Sequence, residues 1–293
     1  RSYVNGAIET HISHIQIHDP QFTEEQESRF TLPQPEALRR EMAAIPSVKG
    51  AALRSVTNGM IASSHGTRGV MIKAVHPEQE EAVTVLAEKI IKGDHFAERR
   101  RNSLLISEDL AEKLEVDIRK KVVLTFQDLS SNITSGAFRI VGVFNTGNTP
   151  FDESHVFVLR DDLNRLLRSG KDTLQQPIAH EIALLLNRPD QATHLADSLQ
   201  RAWPNLKVQT YREISPDLQL YESQIMNVSY IYLVIIMLAL VFGIVNTMLM
   251  AVLERTREIG MLMAIGMNKL RVFTLIVLET LMLSFIGAPF GLA

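Results

Sequence analysis

Hydrophobic and polar positions obey two different rules along this chain. Up to residue 222, short apolar runs alternate with polar residues at strand or helix spacing, whereas Ser223–Leu253 contains no charged residue and Val272–Ala293 contains only Glu279. The first pattern predicts an α+β or α/β domain with one wet and one dry face per element. The second predicts helices in lipid. A helix of 31 residues is about 46 Å long at roughly 1.5 Å per residue, beyond a hydrocarbon thickness of about 30 Å, and 22 residues suffice for about one more crossing. The expected architecture is therefore an α+β domain followed by an α-helical transmembrane hairpin joined through residues 254–271.

Within the first region, Ile15 and Ile17 alternate with His14, Gln16 and His18, which predicts a strand with one solvated face. Pro35 opens a helix to Ala44. Strands follow at 47–57, 59–63 and 68–75, separated by Gly and Asn turns, and Pro77 starts a helix to about Ile91 that ends in Lys92-Gly93. Further strands are expected at 103–106, 121–127, 137–144, 155–158, 178–186 and 206–209, and helices at 107–114, 160–167 and 189–203. Ser107 reads as an N-cap with Glu108 and Asp109 in the first turn. The polar stretch 169–177 marks a subdomain boundary, and the β-α-β order returning after it suggests that the middle of the domain is an insertion.

Ser215-Pro216-Asp217 supplies an N-cap, a proline at the first helical position and an acidic first turn. Leu218, Tyr221, Ile225, Val228, Tyr232 and Ile235 then recur at spacings of 3 and 4, so one helix is expected from Pro216 to Leu253. Its first turns, 216–226, would stand above the membrane as a stalk.

Composition sharpens this picture at a few points. The connection holds Arg255, Arg257, Lys269 and Arg271, and short loops with this bias stay in the cytoplasm, which puts residues 1–222 on the other side. A chain opening at Arg1 has no export signal of its own, so a signal or an earlier helix is expected upstream, and a further span downstream of Gly287 and Gly291. The absence of cysteine agrees with an extracytoplasmic setting. A net charge of −3 with mixed signs excludes a basic nucleic-acid face.

Candidate chemistry is sparse. His11, His14 and His18 invite a metal reading, but on a strand His14 and His18 lie about 13 Å apart at ~3.3 Å per residue, which favours a solvated strand face. Gly170-Lys171 is followed by Asp172, so no phosphate-cradling loop is present, and no G-x-S-x-G or H-E-x-x-H occurs. An enzyme is not expected. Gly287 and Gly291 form a G-x-x-x-G that serves a close helix approach or, with Pro289 between them, a kink. Glu279 requires a partner near the cytoplasmic edge, and a structural hydrogen bond is preferred to a proton relay.

The segment between the apolar runs carries Glu254 and Glu258 at the start of a short helix and Lys269 and Arg271 near its end, which matches the helix dipole. Ile259, Leu262, Met263 and Gly266 fall on one stripe. A helix along the inner membrane face with its charged end open to a cytoplasmic partner fits this pattern, and so does a plain amphipathic connector.

At these residues the sequence resembles the FtsX-like permease family, the membrane subunits of MacB-type and lipoprotein-releasing ABC transporters. The run NTMLMAVLERTREIGMLMAIGM, Asn246–Met267, is similar to the family signature, and HIQIHDP (14–20), TRGV (67–70) and AVHPEQE (74–80) resemble the periplasmic core of LolC/LolE-like permeases. The resemblance implies a bacterial inner-membrane, multi-pass, non-catalytic permease acting by mechanotransmission. It further implies that Glu254, Arg255, Thr256, Arg257, Glu258, Ile259, Gly260, Leu262, Met263 and Gly266 dock a cytoplasmic ABC ATPase, separate or fused. ATP and magnesium would bind that ATPase, and this chain would carry no cofactor. It implies a second permease subunit, a periplasmic carrier or adaptor, and a porter-like subdomain (1–75 with 175–215) interrupted by an inserted one (76–174).

Overall fold

The computed structural model describes residues 12–96, 101–168, 177–214 and 216–291. It divides the chain into two compact units, Arg1–Tyr221 and Glu222–Ala293. The expected N-cap Ser215, the stretch 169–176 and His11 lie outside the described residues.

The α+β unit contains β1 (Ile15–His18), α1 (Pro20–Glu25), α2 (Pro35–Ala43), β2 (Val48–Ala62), β3 (Thr67–Val75), α3 (Pro77–Glu81) and β4 (Ile90–Gly93). It continues through β5 (Ser103–Ser107), α4 (Glu108–Lys113), β6 (Lys121–Gln127), β7 (Ile133–Phe144), α5 (Thr149–Asp152) and β8 (His155–Leu159). The last elements are α6 (Arg160–Leu167), β9 (Glu181–Leu186), α7 (Ala192–Ala202), β10 (Lys207–Thr210) and α8 (Tyr211–Ile214). Local chemistry sets several of these boundaries. Ser107 caps α4 by accepting a hydrogen bond from the Leu110 amide at 3.1 Å, and β6 alternates buried Val122, Leu124 and Phe126 with wetter neighbours.

Two cores share one sheet path. Strands run in the order β10-β1-β9-β2, and the first core lies among Ile15, Ile17, Leu53, Ile182 and Leu184 with Met42 of α2 and Leu199 of α7. The path then continues β2-β3-β8-β5-β7, and β6 pairs with both β7 and β2. Six strands thus close into a ring with no free edge between them, around Ile61, Ile72, Leu124, Phe138, Ile140 and Val156. The 15-residue strand β2 belongs to both: Val48–Arg54 pairs β9, and Ser55–Ala62 pairs β3. The cores therefore change over within β2, and Thr67–Val75, which the sequence reading groups with the first portion, packs in the ring.

Tertiary pairing overrides local signals at three places. Asn58-Gly59 reads as a turn but lies inside β2, because Gly59 faces β6 so closely that a Cβ there would meet the Thr125 carbonyl oxygen at 2.6 Å. The expected helix 77–91 is cut to α3, a 3-10 turn at Leu86–Lys89 and β4, since β4 pairs with β7. The third is the histidine face of β1. His14, Gln16 and His18 are buried, because β1 lies between β9 and β10 and Phe22 of α1 stacks on the His18 ring at 5.7 Å.

A charge-balanced cluster occupies the changeover. Arg54 is wholly buried and donates from Nε and Nη2 to both Glu80 oxygens, at 2.9 and 2.6 Å, and from Nη1 to Glu181 Oε1 at 2.5 Å. Lys73 lies beside them on β3. Burial alone would depress the Arg54 pKa, but Glu80 and Glu181 hold it above its ordinary value. Burial would raise Glu181, yet Lys73 and Arg54 keep it ionised well below the usual range. A second link joins the portions, from Arg160 Nη2 at the start of α6 to Glu36 Oε1 of α2 at 2.9 Å.

The second unit is helical: α9 (Pro216–Glu254), α10 (Thr256–Ala264) and α11 (Lys269–Gly291).

Candidate functional site

The site begins where α9 ends. Among the described residues one stretch is long and apolar enough to cross a membrane, Val228–Glu254, with 27 residues and a mean hydropathy of 2.7. Its side chains face outward, Leu238 being 53% and Phe242 73% exposed, which suits a lipid surround. The Thr247 hydroxyl is satisfied inside the helix by the Gly243 carbonyl at 2.8 Å. Leu218, Tyr221 and Ile225 lie on the helical backbone of α9, and their side chains are outside the described residues. Val228 is 46% exposed.

Arg255 is the single residue between α9 and α10. The Thr256 hydroxyl donates to the Leu253 carbonyl across this break, and the Arg255 carbonyl accepts the Ile259 amide at 3.1 Å. Glu254, Arg255, Thr256, Arg257, Glu258 and Gly260 are all exposed, so two arginines flanked by two glutamates crowd the break and the first turn. Ile259 and Leu262 are half-buried, while Met263 is exposed. Gly266 is not a fourth member of that stripe. The helix ends at Ala264, and Gly266 takes φ +94°, a left-handed turn that lets its amide reach Met263 O and the Met267 amide reach Leu262 O, both at 3.1 Å.

Lys269 and Arg271 also differ from expectation. They stand in the first turn of α11 rather than at the end of α10, because Asn268 caps a new helix: its carbonyl accepts the Arg271 amide at 2.9 Å. They cannot complement the α10 dipole. Glu279, expected to find a structural partner, accepts a hydrogen bond from Arg255 Nη1 at 2.8 Å. The sequence offered one signal for this pair, an acidic residue inside an apolar run, without indicating which cation answers it.

In the α+β unit the expected metal candidates separate into structural roles. His14 Nδ1 accepts the Leu186 amide at 3.0 Å, and His18 Nδ1 lies 3.1 Å from the His180 carbonyl. Burial pushes both imidazoles below their ordinary range and lowers His180 to about 4 and His155 to about 3. Among the described residues no group of three metal-ligating side chains occurs. Sequence reasoning missed the Arg54–Glu80–Glu181 cluster, although Arg54 in AALRSV and Glu181 in HEIALLL are charges set in otherwise apolar strands.

Comparison with known proteins places this geometry. Residues 1–202 match the MacB-like periplasmic core domain and residues 230–293 the FtsX-like permease C-terminal domain. The chain belongs to the MacB/FtsX-type permease family of ABC transporters. Curated relatives include the lipoprotein-releasing system transmembrane protein LolC from two strains of Xylella fastidiosa, each 25% identical over 232 residues, which is 75% of this chain and 54% of theirs. The chain thus spans about half the length of the curated relatives it matches. Similar solved structures include the periplasmic region of MacB from Actinobacillus actinomycetemcomitans, with TM-score 0.45, 10% identity and 75% and 98% of the two chains covered. The extracellular domain of the transporter YknZ from Gram-positive bacteria has TM-score 0.43 and 15% identity, with 67% and 99% covered.

Proposed function

We propose that this chain is the permease subunit of a mechanotransmitting ABC transporter of a bacterial inner membrane. A cytoplasmic ABC ATPase, which holds ATP and magnesium, docks on Glu254–Gly266. The first turns of α9, around Leu218, Tyr221, Ile225 and Val228, act as a stalk that carries its movement to the α+β unit on the periplasmic side. A second permease subunit completes the dimer, and α11 provides a second crossing. The chain itself performs no catalysis.

The observation that supports this best is the union, in one chain, of a MacB-like core domain with a lipid-suited helix ending in a short, charged, exposed turn. Lipoprotein release is the cargo step we favour, because the LolC proteins that align over 232 residues belong to a lipoprotein-releasing system. A periplasmic carrier would then receive the cargo. MacB-type efflux through an adaptor and FtsX-like regulation of a periplasmic hydrolase are the alternatives.

The test is purification of the full-length protein from its native membrane, with mass spectrometry of what stays bound. An ABC ATPase in the eluate, lost or much reduced in Arg257→Glu/Glu258→Arg while the α+β unit stays folded, is the expected result. Reproducible absence of any ATPase beside intact bait would instead make the chain a membrane-anchored binding module. A second, related permease would favour lipoprotein release over homodimeric efflux.

A further inference from the structure

The Arg255–Glu279 contact joins residues 24 apart in sequence and ties the break between α9 and α10 to α11. Glu279 lies ten residues beyond Lys269, about 15 Å along α11 at ~1.5 Å per residue. The path from Arg255 to Ile265 also covers ten residues, and therefore a similar length of about 15 Å. The two arms match. The Gly266 turn closes one end of the α10–α11 pair and the ion pair closes the other. In this stretch the apolar side chains that are not exposed are Ile259, Leu262, Met267, Val272, Ile276 and Val277.

We propose that Arg255 and Glu279 are a positioning pair that clamps α10 to the first turns of α11, so that the docking helix and the following helix move as one piece. This rests on the docking role proposed above. With only the covalent turn at Gly266, α10 would pivot relative to α11 about its C-terminal end, and five half-buried side chains with buried Val272 give a thin seam to resist that. A second tether at the opposite end removes the pivot. The carboxylate also has few other ways to be satisfied, since Glu279 is the one charged residue in 272–293, and an ion pair at a lipid boundary is screened far less than one in water. Glu254 and Glu258 also neighbour Arg255 but lie on its own arm, so neither can tie α10 to α11.

The experiment uses the full-length protein with its ATPase in lipid nanodiscs, and spin labels at Met261→Cys and Leu270→Cys, exposed positions on α10 and α11 in a chain without cysteine. Glu279→Arg, which sets two guanidiniums face to face, should broaden the label distance distribution about twofold and lower ATP hydrolysis coupled to transport about tenfold, with the ATPase still bound. The swap Arg255→Glu/Glu279→Arg should restore the parent distance distribution, and the label distances alone are its readout, because Arg255 also lies in the proposed docking segment. A distance distribution indifferent to Glu279→Arg, or one as broad in the swap as in the single variant, would overturn the clamp. Should Glu279→Arg fail to accumulate, Glu279→Gln replaces it, with the same broadening expected and an unchanged distribution overturning the proposal. If no ATPase binds even the unaltered protein, the docking reading falls, and the label distances still decide the clamp.

Discussion

The ring in the α+β unit and the apolar stretch of α9 use the same side chains in opposite ways. Leu104, Phe138 and Ile140 are fully buried around the ring's axis, whereas Leu238, Phe242 and Ile244 are 53 to 73% exposed. In water, apolar groups must cover one another, and every buried charge must be answered. In lipid, the solvent itself covers them, and the chain must only satisfy its backbone, which a helix does internally. The charged groups show the same contrast. Arg54, Glu80 and Glu181 are answered deep inside the first unit, while the helical unit groups most of its charges around the α9–α10 break and the start of α11 and ties Glu279, within the apolar run of α11, back to Arg255.

The most severe test of this comparison is Arg54→Ala. It strips Glu80 and Glu181 of their hydrogen-bonded cation and leaves Lys73 facing two buried carboxylates, and a loss of about 3–5 kcal/mol is expected. Denaturant unfolding followed through Trp203, which packs against the first core, reads this directly. Replacing Arg54, Lys73, Glu80 and Glu181 together by apolar residues should recover most of the loss, and a single variant as stable as the parent would break the comparison.

Leu104→Ala against Leu238→Ala sharpens it further. The first opens a cavity in the ring and should cost about 2–5 kcal/mol. The second removes atoms that face lipid and should leave the α+β unit's unfolding within about 0.5 kcal/mol of the parent. Equal losses by thermal circular dichroism would show that exposure in α9 does not reflect a lipid surround.

A smaller effect is expected on acidification. His180 and His155 titrate at about 4 and about 3 in the folded unit, against about 6.5 when unfolded. Between those values the unfolded chain binds more protons, so stability falls as pH drops from about 6.5 towards 4, by up to about 1.4 kcal/mol per pH unit for each histidine that stays neutral. The depressed carboxyl of Glu181 acts in the same direction at lower pH, and Asp152, raised by burial, acts against it. Denaturant midpoints at pH 7 and pH 5 that coincide would contradict the depressed titration of His155, at the start of β8, and His180, just before β9. The helical unit has no histidine and should show no such dependence.

Much of this was readable in the chain. KVVLTFQ, rich in β-branched and aromatic residues, is β6; Ser107 followed by Glu108 and Asp109 is a helix start; the charge-free run after Glu222 is one helix. In each case the signal lies within a few residues, where side-chain period and capping act. Other features depended on partners far along the chain. Gly59 is a strand residue only because β6 lies against it, and Lys92-Gly93 is a strand only because β7 does. His18 is dry because β9 and β10, more than 160 residues later, enclose β1.

At the candidate site the division is the same. The order of apolar run, charged turn and apolar run is a property of the sequence alone, since water and lipid sort side chains by polarity wherever the chain folds. That Gly266 ends α10, that Lys269 and Arg271 belong to α11, and that Arg255 answers Glu279 were decided by tertiary structure. Which cation reaches a carboxylate depends on how helices return past one another, and periodicity carries no information about that.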